Sequence, residues 1–171
     1  VGDEVFLLAD EDNLRKVLAA VHSTDKPVRR VMIAGGGNVG LRLARRLRGA
    51  VDVKLIERGQ KRCEYLAGEL PSDMLVLQGD GTDEELLADE NVADMDLFLA
   101  LTSDDEDNIL SAMLAKRLGA RRVLALINRR AYADLIQGST IDIALSPSQT
   151  VIGELLAGAP RCVYRIAHVE R

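Results

Sequence analysis

One short stretch constrains the fold of this chain more than any other. Residues 31–40 read Val-Met-Ile-Ala-Gly-Gly-Gly-Asn-Val-Gly, an apolar run that ends in the pattern G-x-G-x-x-G. An apolar strand, a glycine turn and a helical pattern in this order are typical of folds that bind dinucleotides. Gly35 permits the tight turn, Gly37 lets the backbone approach a pyrophosphate, and Gly40 allows the helix to pack closely on the strand. The stretch therefore predicts a phosphate site at the start of the first helix.

An acidic residue follows at the distance that such a site requires. Glu57 ends a second apolar run, residues 53–57, and lies 22 residues after Gly35. This is close to the spacing of about 20 at which an acidic residue binds the adenosine ribose hydroxyls. The alternative is a structural glycine turn followed by an ordinary solvated Glu, but strand, turn, helix, strand and acid all occur in order. The charge of Glu57 would repel a 2′-phosphate, so NAD, NADH or an adenine nucleotide is favoured, and Arg58 beside it leaves a small opening for NADP.

The composition favours a sheet that is covered on both faces. Of the 171 residues, 47% are hydrophobic but only 3% are aromatic, and Trp is absent. A core of Val, Leu, Ile, Ala and Met suits strands with helices on either side. The net charge of −5 argues against nucleic acid as a partner, because a surface that binds the phosphate backbone needs a basic excess.

The cysteine, histidine and hydropathy patterns argue against three further features. Cys63 and Cys162 lie far apart without CxxC spacing, and only His22 and His168 could join them as ligands. We therefore expect neither a disulfide framework nor a metal site. No apolar run approaches the roughly 20 residues of a membrane span, so a cytosolic protein is expected.

From residue 28 onward, apolar runs alternate with helical patterns without interruption. This alternation predicts an α/β fold, a Rossmann-like doubly wound sheet of six parallel strands in the order 3-2-1-4-5-6. The nucleotide-binding domain is expected to span residues 28–145. The strands are expected at residues 31–34, 53–57, 74–78, 97–101, 123–127 and 141–145.

Polar residues predict where the helices begin. Thr82 and Glu85 have the spacing of a capping box for a short helix that ends before residue 92. Thr102 and Ser103 can cap the long helix behind the fourth strand, whose first turn is acidic. The residues expected to face the sheet from that helix are Ile109, Ala112 and Met113. Further helices are expected at residues 60–70 and 131–137.

The two ends of the chain are expected to lie outside the nucleotide-binding domain. In residues 1–27, a strand at Val5–Leu8, a helical pattern from Leu14 to Val21 and a polar linker up to Pro27 resemble the end of a preceding module. Residues 146–171 begin with a helix that Pro147 opens. Its apolar stripe could pack on its own sheet or dock on another subunit, and the pattern alone does not decide between the two. The stripe consists of Val151, Ile152, Leu155 and Leu156.

Ligand would cross the carboxyl ends of the strands, where the strand order reverses between the first and fourth strands. The residues that leave these ends are Gly35–Gly40, Glu57–Arg58, Gly79–Asp80, Thr102–Ser103 and Asn128–Arg130. Asp80 could orient a loop or approach the adenine. Thr102 and Ser103 could serve as helix caps, as ligand contacts, or as both. Arg129 or Arg130 could neutralise phosphate or be a solvated loop charge.

The same region offers little for catalysis. A dehydrogenase needs a substrate domain or long loops, and a general acid such as His, Lys or Tyr. Residues 28–145 contain no His and the predicted loops are short. We therefore expect a ligand-sensing module that is not an enzyme and has no catalytic residues, with a fragment of an NAD-dependent oxidoreductase as the alternative.

Several segments together resemble one known family. The segments are Val31–Gly40, Val53–Arg58, Gln78–Asp80, Ala100–Glu106, Ser111–Arg117, Arg129–Leu135 and Ile141–Pro147. Through them the chain is similar to the RCK, or KTN, nucleotide-binding domains of potassium transport proteins, and most similar to the second such domain of members that carry two. In the family pattern an RCK_C module precedes this domain, and residues 1–27 resemble the tail of that module.

The resemblance implies a cytoplasmic regulatory subunit that binds NAD or NADH, alternatively ATP or ADP, and is peripheral on the inner face of the cell membrane. It implies assembly into a gating ring under a potassium-translocating membrane subunit. The last helix would then be a crossover helix through which two copies dimerise. The nucleotide contacts implied by the family are Gly35, Gly36, Gly37, Asn38, Val39, Glu57, Thr102 and Ser103. The chain departs from the pattern at Asn128, where many relatives have Arg, with Arg129 just after.

Overall fold

The computed structural model describes residues 5–8, 27–129, 131–132, 136, 140–147 and 166–169. The chain divides into two compact units. Residues 28–147 form one unit, and residues 1–27 together with 148–171 form the other.

The unit of residues 28–147 contains the predicted βα alternation. In chain order, counting β1 at Val5–Leu8, its strands are β2 (Arg30–Ala34), β3 (Asp52–Glu57), β4 (Leu75–Gln78), β5 (Leu97–Ala100), β6 (Val123–Leu126) and β7 (Ile143–Leu145). Its helices are α1 (Asn38–Leu47), α2 (Gln60–Glu69), α3 (Glu84–Asp89) and α4 (Asp105–Arg117), with a 3₁₀ turn at Val92–Asp94.

The six strands form one parallel sheet in the order β4-β3-β2-β5-β6-β7. This is the predicted Rossmann-like order, which is confirmed. β2 lies at the centre, where Ile33 pairs with Leu55 on one side and Leu99 on the other. Residues 31–34 are at most 1% exposed, because apolar clusters cover both faces of the sheet. A strand that is buried on both faces reads as a continuous apolar run, which is why residues 31–34 were recognisable.

Several strands are shorter than the sequence predicted. The fourth and fifth predicted strands end at Ala100 and Leu126, one residue early, the third starts at Leu75, and the sixth covers only Ile143–Leu145. The residue after each of β5 and β6 still makes one backbone hydrogen bond to a neighbouring strand. Leu101 N–H donates to Ala34 O, and Ile127 N–H donates to Leu145 O. The chain therefore leaves the ladder gradually at the carboxyl edge, where a ligand would lie.

Both predicted helix caps are wrong by one or two residues. Asp83 caps α3, because its Oδ1 accepts hydrogen bonds from Glu85 N–H and Leu86 N–H. Asp104 caps α4 by accepting from Asp107 N–H at 2.9 Å. A carboxylate at the N-cap adds a favourable interaction with the helix dipole to the hydrogen bond that Thr or Ser would supply. The hydroxyl of Thr82 instead donates to Asp80 Oδ1, and the hydroxyl of Thr102 donates to Asn108 Oδ1.

The face that α4 presents to the sheet also differs from the prediction. Ala112 is fully buried and Ile109 is partly buried, but Met113 is 43% exposed. The buried face of α4 continues through Asn108, Ser111 and Ala115. Small and polar side chains let the helix approach the sheet closely, and this stripe carries too little apolar character to be recognised by hydropathy.

The unit formed by the two ends of the chain contains a pairing that the sequence did not predict. β1 is present as predicted and pairs antiparallel with β8 (Ile166–Val169), Val5 opposite Val169. The sequence assigned no element to residues 161–171. The helix predicted at 14–21 and the apolar stripe at 151–156 lie outside the described residues, and of the helix predicted at 131–137, residues 131, 132 and 136 are helical. None of the helices in the described ranges combines the length and the apolar character that crossing a bilayer requires.

Candidate functional site

A cavity of about 360 Å³ lies at the carboxyl edge of the sheet. It is placed where the strand order reverses between β2 and β5, the position at which open parallel sheets bind ligands. Residues predicted from sequence that line it are Gly35, Gly37, Glu57, Gly79, Asp80, Thr102 and Ser103. Among the lining residues that the sequence analysis did not select as contacts are Arg58, Gly81, Thr82, Asp104, Asp107 and Ser111. The structure thus brings most of the predicted site together.

The glycine turn is built for close backbone packing. Gly35 has φ = +110°, and a Cβ there would lie 2.8 Å from the backbone of Leu101 and Thr102. At Gly40, a Cβ would lie 2.0 Å from the carbonyl oxygen of Gly35. Only glycine fits at either position, so β2, the turn and α1 are fixed against β5 at the cavity.

The start of α1 differs from the starts of α3 and α4. Its N-cap residue is Gly37, which supplies no side-chain hydrogen bond, and its first turn contains no acidic residue. A Cβ on Gly37 would meet nothing within 4 Å. Since helix N-termini carry unsatisfied N–H groups and a partial positive charge, this end suits an anion. Asn38 and Val39 form the exposed first turn beside it.

Glu57 faces the glycine turn from the end of β3. Its Oε2 accepts a hydrogen bond from Gly36 N–H at 2.9 Å, and its Oε1 accepts one from Gly59 N–H at 2.8 Å. The carboxylate is therefore fixed in one orientation and ties the turn to β3. Each carboxylate oxygen can accept a second hydrogen bond, so Glu57 can still bind ribose hydroxyls. Gly36 N–H is already engaged in this conformation.

A cluster of ion pairs forms part of the cavity lining. Arg58 Nη2 donates to Asp80 Oδ2 at 2.7 Å and to Asp107 Oδ2 at 3.1 Å. Asp80 is itself held, because its Oδ1 accepts from the backbone N–H and the hydroxyl of Thr82. Arg58 thus joins the end of β3 to the loop after β4 and to the first turn of α4. We call Arg58, Asp80 and Asp107 the Arg58 cluster.

The protonation of this cluster follows from its contacts. Burial raises the pKa of Asp80, but the hydrogen bonds from Thr82 and the pairing with Arg58 outweigh it, so the pKa lies below its ordinary value. The hydrogen bond and charge of Asp80, with the charge of Asp107, raise the pKa of Arg58. Arg58 and Asp80 are therefore both charged at neutral pH. The described residues that line the cavity include four carboxylates, those of Glu57, Asp80, Asp104 and Asp107, and Arg58 contacts two of them, Asp80 and Asp107.

Thr102 is positioned by a buried amide that the sequence analysis missed. Asn108 Oδ1 accepts from both Thr102 N–H and Thr102 Oγ1, each at 2.8 Å. Asn108 Nδ2 donates to the carbonyl oxygens of Thr102 and Leu126. Asn108 is fully buried and so joins the ends of β5 and β6. A polar residue in helical register with Ala112 and Ala115 was the signal that could have identified it.

Arg129 lies away from the cavity lining. Its guanidinium bonds Glu106 and Tyr132, and its backbone N–H donates to Asp105 Oδ2 at 2.8 Å. Asn128 donates to Asp105 Oδ1 through its backbone and its side chain. These contacts fix the loop after β6 on the first turn of α4. No group of three or more His, Cys, Asp and Glu residues in the described part of the chain is arranged to hold a metal ion.

Comparison with known proteins identifies the family. Residues 31–147 match the model of the TrkA-N domain. The chain belongs to the TrkA-N domain family. The Trk system potassium uptake protein TrkA of Vibrio alginolyticus is 50% identical over 93% of this chain and 34% of that protein. The resemblance to nucleotide-binding domains of potassium transport proteins is thereby confirmed.

Solved structures agree with this TrkA-N fold. The TrkA-N domain of the inner membrane protein ybaL from Escherichia coli has a TM-score of 0.67 at 12% identity, over 78% of this chain and 98% of that one. The GsuK channel bound to NAD has a TM-score of 0.63 at 16% identity, over 92% of this chain and 31% of that one. The chain spans about a third of the length of the curated relatives that it matches.

Proposed function

We propose that this TrkA-N domain binds NAD or NADH in the cavity and is the nucleotide-sensing part of a regulatory subunit of a Trk-type potassium uptake system. The observation that carries the proposal is the pairing of the uncapped start of α1 at Gly37 with the fixed carboxylate of Glu57 across the same cavity. One group suits a pyrophosphate and the other suits a ribose diol, and a dinucleotide carries both.

The residues around the cavity have separate parts in this proposal. The backbone of Gly35, Gly37 and Gly40 shapes the turn, and the N–H groups of Asn38 and Val39 at the start of α1 face the pyrophosphate. Gly36 supports Glu57, which binds the adenosine ribose. Gly79 and Asp80 lie on the adenine side, and Thr102 and Ser103 close the opposite side at β5. Arg129 acts at a distance, by holding the loop after β6 on α4.

The charge of the cavity favours a dinucleotide over ATP or ADP. Four carboxylates and one guanidinium are among the described lining residues, and the guanidinium is already paired. A triphosphate concentrates more negative charge than the pyrophosphate of NAD. Repulsion by the carboxylates therefore weakens the binding of a triphosphate more than the binding of NAD. A structural neighbour is described as a channel bound to NAD, which supports the same choice.

The names of the relatives support the physiological role that we propose. They are named potassium uptake proteins, so we place this subunit on the cytoplasmic side, peripheral to the membrane, against a potassium-translocating partner. Two copies would pair through the apolar stripe Val151, Ile152, Leu155 and Leu156. Nucleotide would then gate transport without chemistry, through unequal affinity for two arrangements of paired domains.

A binding experiment tests the first step of this proposal. We expect NADH and NAD to raise the melting temperature and to titrate one site by calorimetry, with ATP and ADP binding more weakly. Glu57→Gln is expected to weaken NADH binding at least tenfold, because a hydrogen bond to a charged group contributes about 1.5–3 kcal/mol. Glu64→Gln, on the exposed face of α2, is the matched control and should bind as the parent does. Equal NADH affinity of both variants would contradict the ribose site.

A further inference from the structure

The Arg58 cluster bears on which dinucleotide the cavity accepts. In this fold an acidic residue at the end of the second strand of the domain favours NAD, and a nearby Arg accommodates the 2′-phosphate of NADP. This chain has both side by side, Glu57 and Arg58. Sequence alone favours NAD through Glu57 and leaves a small opening for NADP through Arg58, so the contacts of Arg58 decide whether that opening exists.

In the structure, Arg58 is already paired with two carboxylates. One nitrogen, Nη2 of Arg58, contacts both Asp80 at 2.7 Å and Asp107 at 3.1 Å. The two carboxylates come from different elements, and both line the cavity. Asp80 is fixed by Thr82, and Asp107 belongs to the first turn of α4, so the guanidinium is held between two supported positions.

The charges around Arg58 determine how the cavity would receive a 2′-phosphate. Arg58 contributes one positive charge, and its two partners more than neutralise it. Glu57 adds a further negative charge where the adenosine ribose would lie. A 2′-phosphate placed there would meet a net negative surface, because the carboxylates of Asp80 and Asp107 offset the positive charge of Arg58 that would otherwise attract it.

We infer that Asp80 and Asp107, by holding Arg58, make this cavity reject NADP(H) and accept NAD(H). Arg58 is a specificity-determining residue whose contribution is set by its partners, and Asp107 is a positioning residue that acts through it. The inference rests on the proposed dinucleotide site and deepens it, because it identifies the side chains that choose between two chemically similar ligands.

The test compares NADH and NADPH in each protein by calorimetric titration of the chain. The quantity of interest is the ratio of the NADPH to the NADH dissociation constant, which cancels any general change in the pocket. Asp107→Asn should lower this ratio about fivefold, and Asp80→Asn combined with Asp107→Asn should lower it more than tenfold, because each removes one like charge near the 2′-phosphate. Asp107 supplies only its backbone N–H to the cap of α4, so its side chain can change without uncapping the helix.

Two further variants separate the proposed cause from a general charge effect. Adding Arg58→Gln to Asp107→Asn should return the ratio to the parent value or above it. Asp73→Asn removes the same charge at an exposed position just before β4, at the opposite edge of the sheet, and should leave the ratio unchanged. Raising the salt concentration should shrink the differences, since the groups are partly exposed.

The outcomes distinguish the inference from the proposal beneath it. If the parent binds NADH but the ratio stays constant in all variants, the Arg58 cluster does not set specificity and the inference is overturned. If Asp73→Asn changes the ratio as much as Asp107→Asn, the effect is one of net charge and the inference is also overturned. If the parent binds neither NADH nor NADPH, the proposed dinucleotide site itself is wrong.

Discussion

Gly40→Ala is expected to destabilise the sheet unit by about 3 kcal/mol or more. The added Cβ would lie 2.0 Å from the carbonyl oxygen of Gly35 and 3.5 Å from Ile33 Cγ2. The first of these atoms belongs to the backbone of the glycine turn, so no side-chain rotation can relieve the overlap. Either α1 must move away from β2 or the turn must change, and both disturb the buried centre of the sheet. We expect a melting temperature lower by about 10 °C, measured by circular dichroism.

The same substitution in another helix provides the control. Gly68 lies in α2, and a Cβ there would meet nothing within 4 Å. Because Ala has the higher helix propensity, Gly68→Ala should be neutral or stabilising by up to about 1 kcal/mol. Opposite signs for one chemical change would establish that the contact between helix and turn is responsible. Equal melting temperatures for Gly40→Ala and the parent would contradict the close packing of α1 on the turn.

Asp105→Asn is the second substitution with a large expected effect. Asp105 is 4% exposed, and its carboxylate accepts three hydrogen bonds, from Asn128 N–H, Asn128 Nδ2 and Arg129 N–H. An amide offers one acceptor oxygen and turns its NH₂ group toward an N–H donor, which leaves buried groups unsatisfied. We expect a loss of about 2–4 kcal/mol in the free energy of unfolding at pH 7, measured by urea denaturation. Glu106→Gln, at the exposed neighbouring position, should cost less than about 1 kcal/mol.

The pH dependence of this difference is a separate check. Burial raises the pKa of Asp105, but the hydrogen bonds from Asn128 and Arg129 outweigh it and the pKa lies below its ordinary value. A carboxylate that is more acidic when folded contributes stability above its unfolded pKa of about 3.9 and loses it as the pH falls through the folded value. The gap between the parent and Asp105→Asn should therefore stay constant from about pH 7 to 5 and shrink below about pH 4. A gap that does not change with pH would mean that Asp105 does not act as a charged acceptor.

The sheet could be predicted because its central strands are recognisable from short local stretches of the sequence. Residues 31–34 are apolar throughout, the glycine turn follows at once, and each later strand is bounded by Gly, Pro or a cap. Parallel strands joined by helices admit few arrangements, so the order followed once six strands were counted. The exact cap residues were harder to predict than the strands. Thr82 and Asp83 are both good cap residues, and only tertiary contacts decide which side chain turns toward the helix.

Long-range side-chain pairing explains most of what the sequence could not supply. Arg58 meets residues 22 and 49 positions away, and β1 pairs with β8 across almost the whole chain. Neither contact leaves a periodic trace in the sequence. Asn108 was missed for a different reason, since a buried amide in an apolar stripe resembles an interruption of the pattern. In contrast, Gly37 and Glu57 could be selected from the sequence because both belong to one local succession of strand, glycine turn, helix and strand.

The measurement that tests the central claim most directly is calorimetric titration of NADH into the parent and into Gly37→Ala. Gly37 lines the cavity and has φ = −66°, which Ala adopts without strain, and a Cβ there would meet no atom within 4 Å. We predict melting temperatures within about 2 °C without ligand, and an NADH dissociation constant at least tenfold larger in the variant, because the methyl group occupies the position of the pyrophosphate. Equal affinities, with the fold unchanged, would contradict a pyrophosphate site at the start of α1.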